Sequence, residues 1–184
     1  MLQLQIPIPV KFFCALIYSN EDIYLKTKLI LKKKFGKIDF ESQLIPFNCT
    51  DYYSKEMGEC LYRRFISFKK LRIPCKFANI KLYCIKLEKL FSSKNSRKIN
   101  IDPGYINESK LVLTTTKDFS HRIYLKKGIF AEITLSFING KFSNWPTTFP
   151  DYRTDEYKNI FNIIREKYRN DIKDKYGKQN KPNK

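Results

Sequence analysis

Residues 110–122 pack Lys110, three threonines, Lys117, Asp118, Ser120, His121 and Arg122 into thirteen positions. Threonine hydroxyls and lysine or arginine donors are what a phosphate or carboxylate needs. If Leu111 and Leu113 face a core, strand alternation sends Val112, Thr114 and Thr116 the other way. Threonine is also a good strand former, so such a row suits an ordinary solvated face equally well. His121 is the single histidine, and any histidine-dependent catalysis must use it. It is either a proton shuttle or a half-buried residue making one hydrogen bond.

Three other places carry groups of the same kind. In Asn100-Ile101-Asp102-Pro103-Gly104-Tyr105, alternation puts Asn100 and Asp102 on one side of a strand, and Pro-Gly then predicts a turn. Asp102 is either a bond to turn amides or a general base or cation ligand at a sheet edge. Glu132 alternates with Thr134 and Ser136, facing either a polar cavity or the wet side of a sheet. Arg63 and Arg64 point to opposite faces of their strand. The inward one must meet a carboxylate, for which Asp102 and Glu132 are the candidates. Asp51, Tyr52, Tyr53 and Glu56 sit on a connection, where functional groups concentrate. The two tyrosines either stack on a base or clamp the loop against the sheet.

The elements that must position these groups follow from periodicity. Residues 11–19 form an apolar run that reads as a buried strand. Ser19-Asn20-Glu21-Asp22 starts a helix that Gly36 closes. Residues 38–47 and 61–68 read as strands. A second helix begins near Pro74, with Phe77, Ile80, Cys84, Leu87 and Phe91 as its buried stripe. Residues 99–102 form a short strand that ends at Pro103-Gly104. Further strands are expected at 111–116, 122–125, 129–138 and 141–144, with tight turns at Lys127-Gly128 and Asn139-Gly140. A last helix starts near Thr154 and turns Tyr157, Ile160, Phe161, Ile164 and Tyr168 inward. The expected class is α+β, a ferredoxin-like β-α-β-β-α-β unit extended by antiparallel strands and a C-terminal helix. Residues 1–172 form a single domain, and 173–184 form a disordered basic tail.

Composition excludes several classes. The six glycines are too far apart for a G-x-G-x-x-G, and none of the Gly-Lys pairs sits in a P-loop. Five cysteines include no C-x-x-C, which does not suit a zinc site and points to a reducing, cytoplasmic compartment. No uncharged run exceeds ten residues, so no transmembrane helix is expected. Lysine and arginine total 36 against 18 acids, a net charge of +18. That excess reads as either a polyanion partner or coding bias, because lysine outnumbers arginine 28 to 8.

Four segments resemble a known family. They are Thr50-Asp51-Tyr52-Tyr53-Ser54-Lys55-Glu56-Met57-Gly58, then Asn100 through Tyr105, then Lys110 through Leu125, and Phe149-Pro150-Asp151-Tyr152-Arg153. Their order and length resemble the bacterial family carrying domain of unknown function 4416, from about Val10 to about Arg169. The resemblance brings no reaction with it. The Lys-rich surface and tail depart from the family pattern.

The residues themselves favour a site for a phosphorylated or nucleotide-like small molecule. Asp102 or Glu132 would be the base, His121 the acid, and Lys117 and Arg122 the anion clamps. Asp51, Tyr52, Tyr53, Glu56, Arg63, Asn100, Lys110, Thr116 and Asp118 complete the ligand-binding set. Two other classes remain open, an RNA-binding module with a contiguous basic face, and a protein-interaction or scaffold domain with an exposed apolar patch. No cofactor, metal or oligomeric state is assigned.

Overall fold

The computed structural model describes residues 7–48, 53–93 and 96–176. The chain runs through β1 (Lys11–Tyr18), α1 (Glu21–Phe35), β2 (Ile38–Glu41), β3 (Ile45–Pro46), the one-turn α2 (Ser54–Met57) and β4 (Tyr62–Phe68). Then come α3 (Phe77–Leu90), β5 (Ile99–Ile106), β6 (Lys110–Thr115), β7 (Ile123–Lys126), β8 (Ile129–Ile138), β9 (Lys141–Asn144) and α4 (Asp155–Tyr176). The strands form one sheet in the order β2-β4-β1-β5-β6-β8-β7, with β3 on β4 and β9 on β8. Every pairing is antiparallel.

Strand β1 is buried along its whole length because helices cover both faces of the sheet around it. Its even residues Phe12, Cys14, Leu16 and Tyr18 pack with Tyr24, Leu31 and Phe35 of α1 and Phe77, Cys84 and Leu87 of α3. The odd residues Phe13 and Ala15 pack with Tyr157, Phe161 and Ile164 of α4. The result is an α+β fold of three layers. Helix α1 begins where the Asn20 side chain accepts from the Ile23 amide at 3.0 Å. The turns at Lys127-Gly128 and Asn139-Gly140 hold both central residues at positive φ, as tight hairpins require. Among the described residues, no helix is long and apolar enough to cross a membrane.

Three expectations change. The strand expected over 38–47 divides into β2 and β3. Ser42 interrupts it by donating its amide to Phe65 O while its hydroxyl accepts from Phe65 N. The tail expected from residue 173 is helical as far as Tyr176, because Asp171 anchors the last turns of α4 to Lys11 and Lys69. The rest of that tail, 177–184, lies outside the described residues.

The third change matters most for the site. Pro103-Gly104 makes no turn, and β5 runs through both residues. The β5–β6 ladder covers Gly104, Tyr105 and Ile106 and stops short of Pro103. The Pro103 carbonyl accepts from Thr114 Oγ1 at 2.8 Å, and a proline amide would have pointed toward that same unpaired edge. Gly104 is needed for close approach. A Cβ there would lie 2.6 Å from Val112 O, 2.7 Å from Phe13 Cζ and 2.8 Å from Leu113 Cδ2. Gly104→Ala is therefore expected to cost about 1–3 kcal/mol by overpacking. The check is a lower urea midpoint at unchanged slope. A variant as stable as its parent would mean that β1, β5 and β6 do not pack this tightly.

Candidate functional site

Beyond Gly104, β5 and β6 part, and a cavity of about 510 Å³ opens between them. Strand β5 supplies Asn100 and Asp102, β4 supplies Arg63, α3 supplies Lys81 and β8 supplies Glu132. Thr114 and Thr115 of β6 continue into Thr116 and Lys117. The turn before α4 adds Phe149, Pro150, Asp151 and Tyr152, while Phe47, Tyr53, Arg97, Leu113 and Arg122 complete the wall. Five cationic side chains thus face three carboxylates. Each carboxylate already has a cationic partner.

Lys81 lies on the buried stripe of α3 and is only 6% exposed. It reaches the open edge of β5, where Nζ donates to Ile101 O and Asp102 Oδ1, both at 3.0 Å. Asn100 Nδ2 donates to the other Asp102 oxygen at 2.6 Å. Burial pushes the Asp102 carboxyl up, but the charges of Lys81 and Arg63 outweigh it and hold the group below its ordinary range. Burial likewise opposes the Lys81 charge, and Asp102 and Glu88 outweigh that, so the ammonium is held above its usual value. The pair is a fixed set of charges rather than a proton-transfer couple at neutral pH.

A chain of hydrogen bonds leads outward from it. Arg97 Nη1 donates to Asn100 Oδ1 at 2.9 Å, while Nε and Nη2 grip Glu56 at 2.9 and 2.7 Å. The Arg97 amide also donates to Glu56 Oε1. These bonds hold the Glu56 carboxyl below its ordinary value. Glu56 orients Arg97 and is not part of the cavity wall.

Arg63 is 3% exposed. Its Nη2 donates to Asp151 Oδ2 at 2.9 Å. The guanidinium lies over Phe47 at 4.8 Å, with Phe65, Tyr152 and Tyr157 within 5.9 Å. Among the described residues its Nε and Nη1 have no acceptor, so the ring faces provide their compensation. Burial pushes the Asp151 carboxyl up by more than Arg63 and two backbone donors pull it down. Asp102 and Asp151 are therefore shifted in opposite directions, with Arg63 acting on both.

Glu132 is 3% exposed and accepts from Arg122 Nε at 2.7 Å and His121 Nε2 at 3.1 Å, with Thr134 Oγ1 at 3.4 Å. Arg122 Nη1 donates to Lys117 O at 3.1 Å and so ties the loop after β6 to β8. His121 touches Glu132 from outside the cavity wall. It can orient Glu132 and Arg122, but it does not reach the space itself.

The cavity gathers Tyr53, Arg63, Asn100, Asp102, Thr116, Lys117, Arg122 and Glu132 from the residues expected at a site. Tyr53 also packs on Phe47 and Met57, as a loop clamp would. Lys110 begins β6 at its far end, and Asp118 is exposed outside the wall, so neither belongs with the others. Asp51 and Tyr52 lie outside the described residues. Arg63 pairs with Asp151, not with Asp102 or Glu132. Lys81, Arg97, Asp151 and Tyr152 line the cavity without being among the residues expected at a site. Lys81 and Glu88 did carry a signal, since both fall on the apolar stripe of α3 seven residues apart. Among the described residues, no group of three or more His, Cys, Asp or Glu could hold a metal ion.

Residues 8–168 match the family model described as domain of unknown function (DUF4416), and the chain belongs to that family. Among curated proteins and solved structures, none matches it.

Proposed function

We propose that this member of the DUF4416 family binds a phosphorylated or nucleotide-like small molecule in the cavity between β5 and β6. The observation that carries this is the convergence of Arg63, Lys81, Arg97, Lys117 and Arg122 from four separate parts of the chain on one partly open cavity. They outnumber the carboxylates Asp102, Glu132 and Asp151 there. A concave site with low-dielectric walls and excess positive charge concentrates anions. Thr114 to Thr116 add hydroxyls, and Phe47, Tyr53 and Phe149 add flat apolar surface for the rest of the ligand.

In this reading Asp102 is the countercharge that positions Lys81, and His121 positions Glu132 and Arg122. The order β2-β4-β1-β5, with α1 and α3 on one face, supports reading the first half of the chain as a ferredoxin-like unit that β6 to β9 extend. The buried free thiols Cys14 and Cys84 support a reducing, cytoplasmic setting. RNA recognition by such a sheet needs an open face of aromatic residues, whereas helices cover both faces around β1. A protein-interaction role finds its support in β7, where Ile123, Tyr124 and Leu125 are all exposed.

The test is a thermal-shift screen against nucleotides, sugar phosphates and divalent metals at about 150 mM salt, which screens diffuse charge. A ligand held near 100 times its dissociation constant is expected to add about 2.7 kcal/mol. Lys117→Ala should lose most of that gain, each chain being read against its own ligand-free melting temperature. If no compound raises the melting temperature, the proposal fails.

A further inference from the structure

We infer that Asp151 is a built-in competitor for the anion seat at Arg63, holding the guanidinium until an anionic ligand displaces it. The inference rests on the reading of the cavity as an anion site. Among the described residues, Asp151 is the one hydrogen-bond acceptor of the Arg63 guanidinium. Both groups line the cavity, so a ligand anion entering there meets an arginine already bound to a carboxylate. Three other cations in the wall are not arranged this way. Lys81 and Arg97 are bound within a network that includes backbone and amide groups, and Arg122 is bound to Glu132 and a carbonyl.

The backbone around Asp151 is fixed. Thr154 Oγ1 donates to Asp151 O at 2.9 Å, Arg153 Nε donates to Thr148 O at 2.7 Å, and Thr148 Oγ1 donates to Thr134 O at 2.6 Å. Release of Arg63 thus needs rotation of one carboxylate, not opening of the loop. The titratable and charged groups acting on Asp151 are Arg63 from β4, Asp102 from β5 and Tyr152 beside it, with Tyr157 of α4 over the same guanidinium. Because burial raises the Asp151 carboxyl while Asp102 is held below its ordinary range, a proton weakens the hold of Asp151 on Arg63 before Asp102 titrates.

Sulfate is a suitable probe, since its own charge does not change between about pH 5 and about pH 8. Its affinity would be measured by calorimetry for the parent, Asp151→Asn and Asp102→Asn, each checked for an intact fold by circular dichroism. At about pH 8, Asp151→Asn is expected to bind about tenfold more tightly than the parent, as loss of a competing charge-assisted bond implies. Asp102→Asn removes the same charge from the same cavity and should gain much less. The gap between parent and Asp151→Asn should narrow at about pH 5. Equal gains in the two variants would reduce the effect to general charge and overturn the inference. Unchanged affinity in Asp151→Asn would overturn it too, while leaving the anion site standing. If no chain binds sulfate at either pH, the anion-site reading itself fails and takes the inference with it.

Discussion

Lys11→Ala is expected to lose about 3 kcal/mol of folding stability, the lower end of the range for breaking a buried ion pair. Lys11 is fully buried on β1, and its ammonium bonds Asp39 and, at 2.7 Å, Asp171. Removing it leaves two carboxylates with little water. Each keeps one polar neighbour, because Ser67 Oγ donates to Asp39 at 2.6 Å and Lys69 reaches Asp171. That is why the lower end applies. The loss also has a definite pH dependence. Burial pushes the Asp171 carboxyl up, but Lys11 and Lys69 outweigh it and hold the group below its ordinary value. A depressed carboxyl contributes stability above its unfolded value of about 3.9, and that contribution is lost as pH falls through the folded value. Parent and variant should therefore differ most at neutral pH and converge in acid. Urea unfolding at about pH 7 and about pH 3.5 would read both effects. A loss below about 1 kcal/mol at neutral pH would mean that the cluster is well solvated and does little to hold α4 on the sheet.

Lys11 also marks where sequence reasoning stops. The Asn20 cap, the apolar stripe of α3 and the Asn139-Gly140 hairpin are legible because each depends on neighbours a few residues away. The buried cations depend on partners far along the chain. Asp171 is 160 residues from Lys11, and Asp151 is 88 from Arg63. No periodicity encodes those distances. Pro103-Gly104 misleads for the same reason. Its local chemistry favours a turn, while the need for a bare Cα against Phe13 and Leu113 exists only in the packed sheet. The polar segments at 100–105 and 110–122 do share one place in the fold, because Asn100, Asp102, Thr116, Lys117 and Arg122 meet where β5 and β6 part. Alternation explains Glu132 as well, but its burial follows from Arg122 and His121 folding back over β8.

Arg63→Met should cost about 3 kcal/mol near pH 7, for a different reason and with the opposite pH trend. Methionine can fill the space among Phe47, Phe65, Tyr152 and Tyr157, so the packing loss is small. The cost comes from Asp151, left buried without its cation. Burial already raises the Asp151 carboxyl, and the loss of Arg63 raises it further. A raised carboxyl favours the fold below its unfolded pKa, and that contribution is lost as pH rises through the folded value. The variant should accordingly recover stability toward about pH 5. Arg63→Met combined with Asp151→Leu removes both charges, and such replacement of a buried pair is commonly neutral or stabilising. The double variant is expected within about 1 kcal/mol of the parent or above it. If stability alone required this pair, the double variant would match the parent in every respect. If the pair serves the cavity as proposed, the double variant folds well and does not respond to an anion that raises the melting temperature of the parent. A double variant as unstable as Arg63→Met would show that the aromatic cage needs the guanidinium itself. One that keeps the parent's full ligand response would remove Arg63 from the proposed anion site.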